Sequence, residues 1–395
     1  NRTQPKAARQ FVVSSETHSV ARIDRRTTGP SEAGTDRPVG SAGRSPRSYG
    51  GRMRHFSAES PLALPTMERS PMKRLICLIC STALALAISP LPGRSAEFFV
   101  NNRTGEDFYD GRSPQPNNAG SGPVRTITRA LQLASGSDRI NLAKTEEPYR
   151  ESITLFGSRH SGLAGQPLVI AGNEAVLDGS QPIPPRRWQS IGNSVFRFTP
   201  PTSGPQQLFL DGRPAVRVPI GLDGLMPPLE PRQWCYYQGG ILFKVEPTKL
   251  PDDYQLTYAA LPTGITLCFV QQVAIVDLVV QGFRLDGIHA ANTARNIYLA
   301  GIVARGNGRA GLVVGGASFV EIEACLSGAN GAAQLITMPW SETQIRRCRL
   351  LGDSADGWVD RGGRVWIDGQ KRSGGMKSLE VADEEQRPVE TPPKQ

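Results

Sequence analysis

The side chains that could do chemistry in this chain of 395 residues are few. Asp353 and Asp356 are the best acidic pair, because they flank one turn-like stretch and can approach each other. His289 follows a similar stretch, and Asp286 lies just before it. Two carboxylates about 5 to 9.5 Å apart can hydrolyse a glycosidic bond, and a basic group can remove a proton next to a carboxylate. The four residues are therefore the candidate catalytic residues.

Each candidate also has a structural interpretation. Asp353 and Asp356 can cap their own turn backbone, and His289 can be an ordinary surface or half-buried histidine. His160 lies in a loop-like stretch, SRHSGLAG, with no reactive neighbour in sequence. The sequence has no Gly-rich phosphate loop, nucleophile elbow or His cluster for a metal. Enzyme, binding protein and structural protein all remain open at this point.

A repeat sets the positions of these residues. NGRAGLVV begins at Asn307, NGAAQLIT at Asn330 and DSADGWVD at Asp353, each 23 residues after the last. The corner pairs recur at intervals of 23, 24, 23 and 23 residues, and they are Gly264-Ile265, Gly287-Ile288, Gly311-Leu312, Gln334-Leu335 and Gly357-Trp358. Two further apolar columns keep a stride of 23, namely Val276, Leu299, Ile322, Ile345 and Val279, Ile302, Cys325, Cys348. Such a fixed period indicates a solenoid.

Each unit reads as a β-branched run, a turn rich in Gly, Asn or Asp, and a second short run, which predicts strand, turn, strand. Stacked coils place like positions about 4.8 Å apart, so the columns become buried files. The repeated Asn-Gly corners are expected to adopt the left-handed conformation. Outward Glu323 and Arg346 should face each other on adjacent coils. Cys325 and Cys348 should form a small buried ladder. On this reading Asp286 and Asp356 share a column but lie three coils, about 14 Å, apart.

The start of the domain adds a cap. Thr126 to Ala134 reads TITRALQLA and places Ile127, Ala130, Leu131 and Ala134 on one helical face. Such a helix would close the end of the solenoid, which otherwise exposes strand edges. With FFVNNRTGEDFYDGRS before it and EPYRESITL after it, this opening resembles that of many exported bacterial β-helix proteins.

The 23-residue coils with Gly-Ile corners and this opening resemble the right-handed parallel β-helix proteins of the pectate-lyase-like superfamily over about 97–370. The resemblance implies an all-β solenoid that acts on or binds polysaccharide in the envelope or outside the cell, as a polysaccharide lyase or glycoside hydrolase. The alternative is a non-catalytic structural or carbohydrate-binding envelope protein. Calcium is a possible cofactor by this resemblance only. The Asn-Thr-Asp, Gly-His-Gly and Arg-Ile-Lys signatures of polygalacturonases are absent from the sequence.

An insert at about 181–260 interrupts the coils. Its Gly-Asn, Asp-Gly and Gly-Gly dipeptides predict β-hairpins. Four of its aromatic residues either stack on sugar rings as substrate-binding residues or fill the core of the insert, and they are Trp188, Trp234, Tyr236 and Tyr237.

The two ends differ from the middle. Residues 1–74 carry 14 Lys or Arg and 6 Asp or Glu. The rest of the chain carries 31 basic and 30 acidic residues, so it lacks the excess of positive charge that nucleic-acid binding requires. Residues 1–71 predict a disordered or mis-assigned extension, with translation starting at Met67 or Met72. Residues 72–96 predict a signal peptide, hence secretion or a periplasmic location without a later membrane span. The alternative is a single membrane anchor, for which the apolar stretch Leu75 to Ile88 is short. Residues 371–395 predict a disordered tail.

Overall fold

The computed structural model describes residues 95–380. The predicted extension 1–71, all but the last two residues of the predicted signal peptide 72–96, and residues 381–395 lie outside the described residues. Within 95–380 no helix combines the length and the apolar character that a membrane crossing requires.

Two sheets form the solenoid, and their strands are parallel except for β27 at the end of the first sheet. Numbered in chain order, the first sheet contains β1 (Glu97–Val100), β2 (Arg139–Leu142), β4 (Leu168–Asp178), β15 (Gln271–Gln281), β17 (Arg295–Ala300), β18 (Val303–Arg305), β20 (Phe319–Glu323), β21 (Leu326–Gly328), β23 (Glu342–Arg346), β24 (Arg349–Leu350), β26 (Arg364–Ile367) and β27 (Gln370–Arg372). The second, called the six-stranded sheet below, contains β3 (Ile153–Phe156), β14 (Ile265–Cys268), β16 (Asp286–Asn292), β19 (Ala310–Val314), β22 (Ala333–Thr337) and β25 (Asp356–Asp360).

The order and pairing of these strands are those of a right-handed parallel β-helix, so the predicted fold class is confirmed. A continuous buried file runs through the first sheet and consists of Phe98, Ile140, Ile170, Ile275, Leu299, Ile322, Ile345 and Ile367. The Gly-Ile corners stack as predicted, since Ile265, Ile288, Leu312, Leu335 and Trp358 are successive partners in the six-stranded sheet.

Two predicted columns need a correction at their first member. Leu299 pairs with Ile275 and not with Val276, and Val279 pairs with Val303 and not with Ile302. The cause is one extra residue in β16, because Leu267 pairs with Ala290 but Cys268 pairs with Asn292. This bulge lengthens one coil to 24 residues and shifts the pairing of β15 with β17 and β18 by one residue.

The predicted left-handed corner is also displaced by one residue. Asn307 and Asn330 do not have positive φ angles, whereas the residues before them, Gly306 (φ 62°) and Ala329 (φ 54°), do. The asparagines are fully buried and bond to the neighbouring coil. Asn307 Oδ1 accepts from Phe283 N at 3.1 Å, and Asn330 Oδ1 accepts from Asn307 N at 2.8 Å. Asparagine recurs here because it satisfies buried backbone groups between coils.

The charge column has the predicted register but different partners. Glu323 lies opposite Arg346. Arg346 nevertheless pairs with Glu321 at 2.6 Å, and Glu323 accepts from Arg347 and, at 2.9 Å, from the Tyr298 hydroxyl. Cys325 and Cys348 are both free and buried on successive coils. The hydrogen bond with Cys348, together with burial, raises the pKa of the Cys325 thiol, so this thiol stays protonated in the core.

Both ends of the solenoid are covered. Helix α1 (Ile127–Leu133) begins after the N-cap Thr126 and buries Ile127, Ala130 and Leu131 on the core, which agrees with the predicted cap. At the other end β27 pairs with β26, and Met376 and Leu379 pack against the core. The solenoid therefore extends past 370, into the segment predicted as tail.

The insert contains nine strands, namely β5 (Ser180–Pro182), β6 (Gln189–Gly192), β7 (Val195–Phe198), β8 (Leu208–Leu210), β9 (Arg213–Pro214), β10 (Val216–Arg217), β11 (Gln233–Tyr237), β12 (Gly240–Lys244) and β13 (Leu256–Ala259). The three predicted hairpins are present as β6–β7, β8–β9 and β11–β12. The central turn residues all have positive φ, as tight hairpin turns require, and they are Asn193–Ser194, Asp211–Gly212 and Gln238–Gly239.

The buried file predicts a sharp response to truncation. Ile322→Ala should lower the free energy of unfolding by about 2 to 5 kcal/mol, because the side chain is only 2% exposed and stacks between two coils. Ile191→Ala is the matched control, since its side chain is 48% exposed on the insert, and it should cost less than about 1 kcal/mol. Urea unfolding measures both, and equal losses would contradict the stacking.

Candidate functional site

Asp286 is the one predicted catalytic acid that is completely buried, at 0% exposure, and it begins β16. Both of its carboxylate oxygens accept from Arg309, with Nε donating to Oδ1 at 2.8 Å and Nη2 donating to Oδ2. Arg309 directly precedes β19 on the next coil. A buried carboxylate is stable only when it is paired and hydrogen-bonded, and the two-pronged contact with Arg309 meets both needs.

His289 lies beside this pair, on the outer face of the six-stranded sheet. Its Nδ1 is 3.6 Å from Asp286 Oδ2, which is too long for a hydrogen bond but close enough for charge attraction. Burial lowers the pKa of His289 from its usual 6.5, Asp286 opposes this shift and Arg309 adds to it. The imidazole is therefore neutral near pH 7 and can accept a proton. Its side chain is 28% exposed, so a ligand can reach it.

The outer file of the six-stranded sheet changes character along its length. On the side of α1, His289 is preceded by Thr266 and Thr154, whose side chains are polar. On the other side it is followed by Val313 and Ile336, which belong to a small apolar cluster with Ala310 and Ala333. His289 thus marks the boundary between a polar and an apolar part of this face.

Arginines gather where the insert meets the coils next to this face. Arg284 donates from Nη1 to Ser203 O at 2.9 Å, and its buried Nε has no partner. Arg217 lies over the Trp234 ring at 5.4 Å, and its Nη1 would be 3.2 Å from a Cβ placed on Gly331. Among residues 95–380 neither arginine has a carboxylate within ion-pair distance. This corner therefore carries an excess of positive charge.

Gly308 and Gly331 connect these arginines with Arg309. A Cβ on Gly308 would collide with Arg284 O, and one on Gly331 would collide with Gly308 O, so the chain segments touch here. Arg309 directly follows Gly308. Arg217, Arg284 and Arg309 consequently belong to one corner of the molecule, called the arginine corner below.

The other two predicted acids lie elsewhere and have structural partners. Asp353 accepts from Ala329 N with both oxygens at 3.0 Å, which fixes a turn. Asp356 pairs with Lys377 at 2.5 Å. The register places Asp356 three strands from Asp286, about 14 Å at the strand spacing. The structure therefore brings Asp286 and His289 together but does not bring Asp353 and Asp356 to them.

The four predicted aromatic residues occupy different environments. Trp234 is fully buried, and its Nε1 donates to Ala215 O at 3.0 Å, so it belongs to the core of the insert. Tyr236 and Tyr237 are half-buried against two apolar clusters of the insert. Trp188 is half-buried and lines a cavity. Among these four, Trp188 combines a fixed ring with access from solvent.

His160 has a structural role. Its Nδ1 accepts from Phe156 N at 3.0 Å, so the ring carries its proton on Nε2, which lies 3.1 Å from Leu131 O and donates to it. The side chain therefore ties the end of α1 to the first coil.

A calcium ion, which the family resemblance implied, does not fit this site. Within residues 95–380 no three His, Cys, Asp or Glu side chains converge. Both oxygens of Asp286 are already held by a guanidinium, which would also repel a cation.

Sequence reasoning missed Arg309, Arg284 and Arg217. A signal existed for Arg309, because an arginine one repeat after an aspartate places opposite charges on adjacent coils. Arg217 belongs to the insert, whose docking on the coils has no repeat pattern to read.

No protein-family model matches the chain, and no curated protein sequence does. Similar solved structures include XylC in complex with xylose, with 12% identity, 71% of this chain and 73% of that chain covered, and a TM-score of 0.34. A GH136 lacto-N-biosidase from Eubacterium ramulus is 10% identical, with 70% of this chain and 38% of that chain covered and a TM-score of 0.27. Pectate lyase Pel9A is 11% identical, with 71% of this chain and 80% of that chain covered and a TM-score of 0.25. The predicted resemblance holds at the level of the fold, which the strand registers establish independently.

The charge arrangement predicts the direction in which His289 responds to its neighbour. Asp286→Asn should lower the pKa of His289 further, because it removes the charge that favours the imidazolium and leaves Arg309 in place. Titration of the two histidine imidazoles of residues 95–380 by NMR measures this, with His160 as the internal reference. An unchanged or raised pKa of His289 would show that Asp286 does not act on it.

Proposed function

We propose that this protein binds an acidic polysaccharide across the outer face of the six-stranded sheet and cleaves it by β-elimination, with His289 as the base. One observation supports this most directly: a neutral, accessible histidine lies next to a buried ion pair and an arginine-rich corner. This combination offers a proton acceptor and cationic side chains in one place.

The reaction needs few groups. In a chain of uronic acids, His289 would take the C5 proton, which is acidic because C5 carries the carboxylate. The released electron pair forms the C4–C5 double bond, and the bond from C4 to the glycosidic oxygen breaks. The leaving oxygen takes a proton from water or from the protonated imidazole. No water is added across the bond, so the new end is an unsaturated uronate.

The arginine corner supplies the charge that this substrate requires. Arg217 and Arg284 have no carboxylate partner among residues 95–380, so their remaining N–H groups can bind a sugar carboxylate. A guanidinium on the carboxylate also stabilises the negative charge that develops as the proton leaves. A neutral polysaccharide would leave these charges unused.

Hydrolysis has less support than elimination. It needs two carboxylates on either side of the bond that breaks. Near His289 the acid is Asp286, whose oxygens are both occupied by Arg309, and Asp353 and Asp356 have structural partners of their own.

Export is part of the proposal. A charged stretch, an apolar stretch and a stretch of small residues follow one another in residues 72–96. This order supports secretion or a periplasmic location, where polysaccharide substrates occur. Mass spectrometry of the mature N-terminus from the native host tests it, and a terminus well before Met67 would contradict it.

Non-catalytic binding along the same face is the second candidate. Arg217 and Arg284 support it, because guanidinium groups without a carboxylate partner among residues 95–380 can retain an acidic sugar chain without any reaction. This candidate predicts retention of the polysaccharide without unsaturated ends.

Removal of the base is the test. His289→Gln should lower the rate of unsaturated-uronate formation by about 100-fold or more while polysaccharide retention persists, because general-base catalysis contributes about that much. Ultraviolet absorbance of the product and affinity electrophoresis in gels containing acidic glycans measure the two effects.

His160→Gln is the matched control, since it makes the same change at a histidine with a structural role, and it should keep most of the activity. The wild-type rate should also fall at pH values below the lowered pKa of His289, because a protonated imidazole cannot accept the proton. Retention without product in the wild-type protein would favour binding, and neither result with any acidic glycan would reject both candidates.

A further inference from the structure

We infer a second saccharide site in the insert, a pocket for one neutral pyranose ring, formed by Trp188 and Tyr254 with Arg150 and Asp252. The cavity has a volume of 380 Å³ and lies between the insert and the segment that leads into β3. This volume is at the lower end of the range of about 300 to 1,000 Å³ typical of ligand pockets. It suits one ring at the end of an oligosaccharide better than several rings in the interior of a polymer.

The aromatic walls are fixed before any ligand binds. Trp188 packs on Phe198 and Phe243, with ring centroids 5.8 and 6.4 Å apart. Tyr254 packs edge-on against the same Phe243 at 5.4 Å, and its hydroxyl donates to Glu246 Oε2 at 3.0 Å. Rings held on one side by a core and open on the other are suited to stack on the C–H faces of a sugar.

Three prolines complete the lining, namely Pro182, Pro185 and Pro251. Their restricted backbone leaves little freedom to lose on binding, which favours a preformed pocket.

The charged groups of the pocket balance each other. Arg150 donates from Nη1 to Ser180 O at 2.5 Å, which leaves its other N–H groups for a ligand. Asp252 lines the same cavity, and within residues 95–380 neither side chain forms an ion pair. One donor group and one acceptor group without net charge match the hydroxyls of a neutral sugar. The arginine corner, by contrast, favours an acidic one.

The inference uses the proposed function only in that the ligand is a saccharide. Binding in the pocket and elimination at His289 involve different residues and are measured separately.

Titration calorimetry with neutral tetrasaccharides of xylose, glucose and galactose, and with a galacturonate tetrasaccharide, tests the pocket. At least one neutral tetrasaccharide should bind the wild-type protein. Trp188→Leu, which keeps an apolar contact with Phe198 and Phe243 but removes the stacking face, should weaken that binding by about tenfold or more. Asp252→Asn should weaken it by about fivefold, the value of one lost hydrogen bond.

Trp340→Leu is the matched control, because Trp340 is 87% exposed and does not line the cavity, and it should bind like the wild type. His289→Gln should also keep neutral-sugar binding. Unchanged urea midpoints in the variants exclude a folding defect. The inference is overturned if no neutral tetrasaccharide binds the wild-type protein, or if Trp188→Leu and Trp340→Leu bind equally. Loss of elimination with retained neutral-sugar binding would reject only the proposed function.

Discussion

The rest of the structure depends on the stacking of like residues at the spacing of parallel strands. Ile275, Leu299, Ile322 and Ile345 rest on one another because each coil returns to the same position about 4.8 Å further along the axis. The same repetition determines which polar groups meet. Asp286 is buried beside Arg309 because one coil separates them, and Asn307 reaches Asn330 for the same reason. Buried polar pairs at this spacing help to fix the register together with the apolar files.

The site arises where this regular stacking meets the insert. The solenoid supplies a flat face with one side chain per coil, and it places a neutral histidine next to an arginine-held carboxylate. The insert adds Arg217 from outside the repeat and brings it against Gly331. Glycines at 308 and 331 leave the room for this contact, since a side chain at either position would collide with neighbouring backbone. Function in this fold thus comes from residues added to a scaffold whose own requirements are structural.

The repeat predicted most of the solenoid, because its files, corners and cap are encoded by local patterns. The Gly-Ile corners, α1 and the three hairpins lie where those patterns indicated. Only the Asp211–Gly212 turn matches its predicted dipeptide, whereas the other two turns centre on Asn193–Ser194 and Gln238–Gly239, one residue from the predicted Gly-Asn and Gly-Gly. The 24-residue interval between Gly287-Ile288 and Gly311-Leu312 indicated one extra residue, but it did not show that this residue is Ala291, so two columns were aligned one residue off at their first member. The partner of Arg346 was also unpredictable, because a long side chain can reach Glu321 as easily as the facing Glu323. For the site, the sequence predicted Asp286 and His289 as separate candidates. The contact of Asp286 with Arg309 follows from the repeat, because Arg309 lies one coil after Asp286. The role of Arg217 depends on a contact between the solenoid and the insert that no periodicity encodes. Trp188 was predicted only as one of four aromatic candidates, and its place beside a cavity needed the structure.

The central claim about chemistry is that a neutral histidine removes a proton and no water enters the bond that breaks. The masses of the products formed from a defined uronate oligosaccharide test this directly. The account predicts that the masses of the two fragments sum to the mass of the substrate, with one fragment carrying the unsaturated ring. Fragments whose summed mass exceeds that of the substrate by one water would indicate hydrolysis and contradict the account.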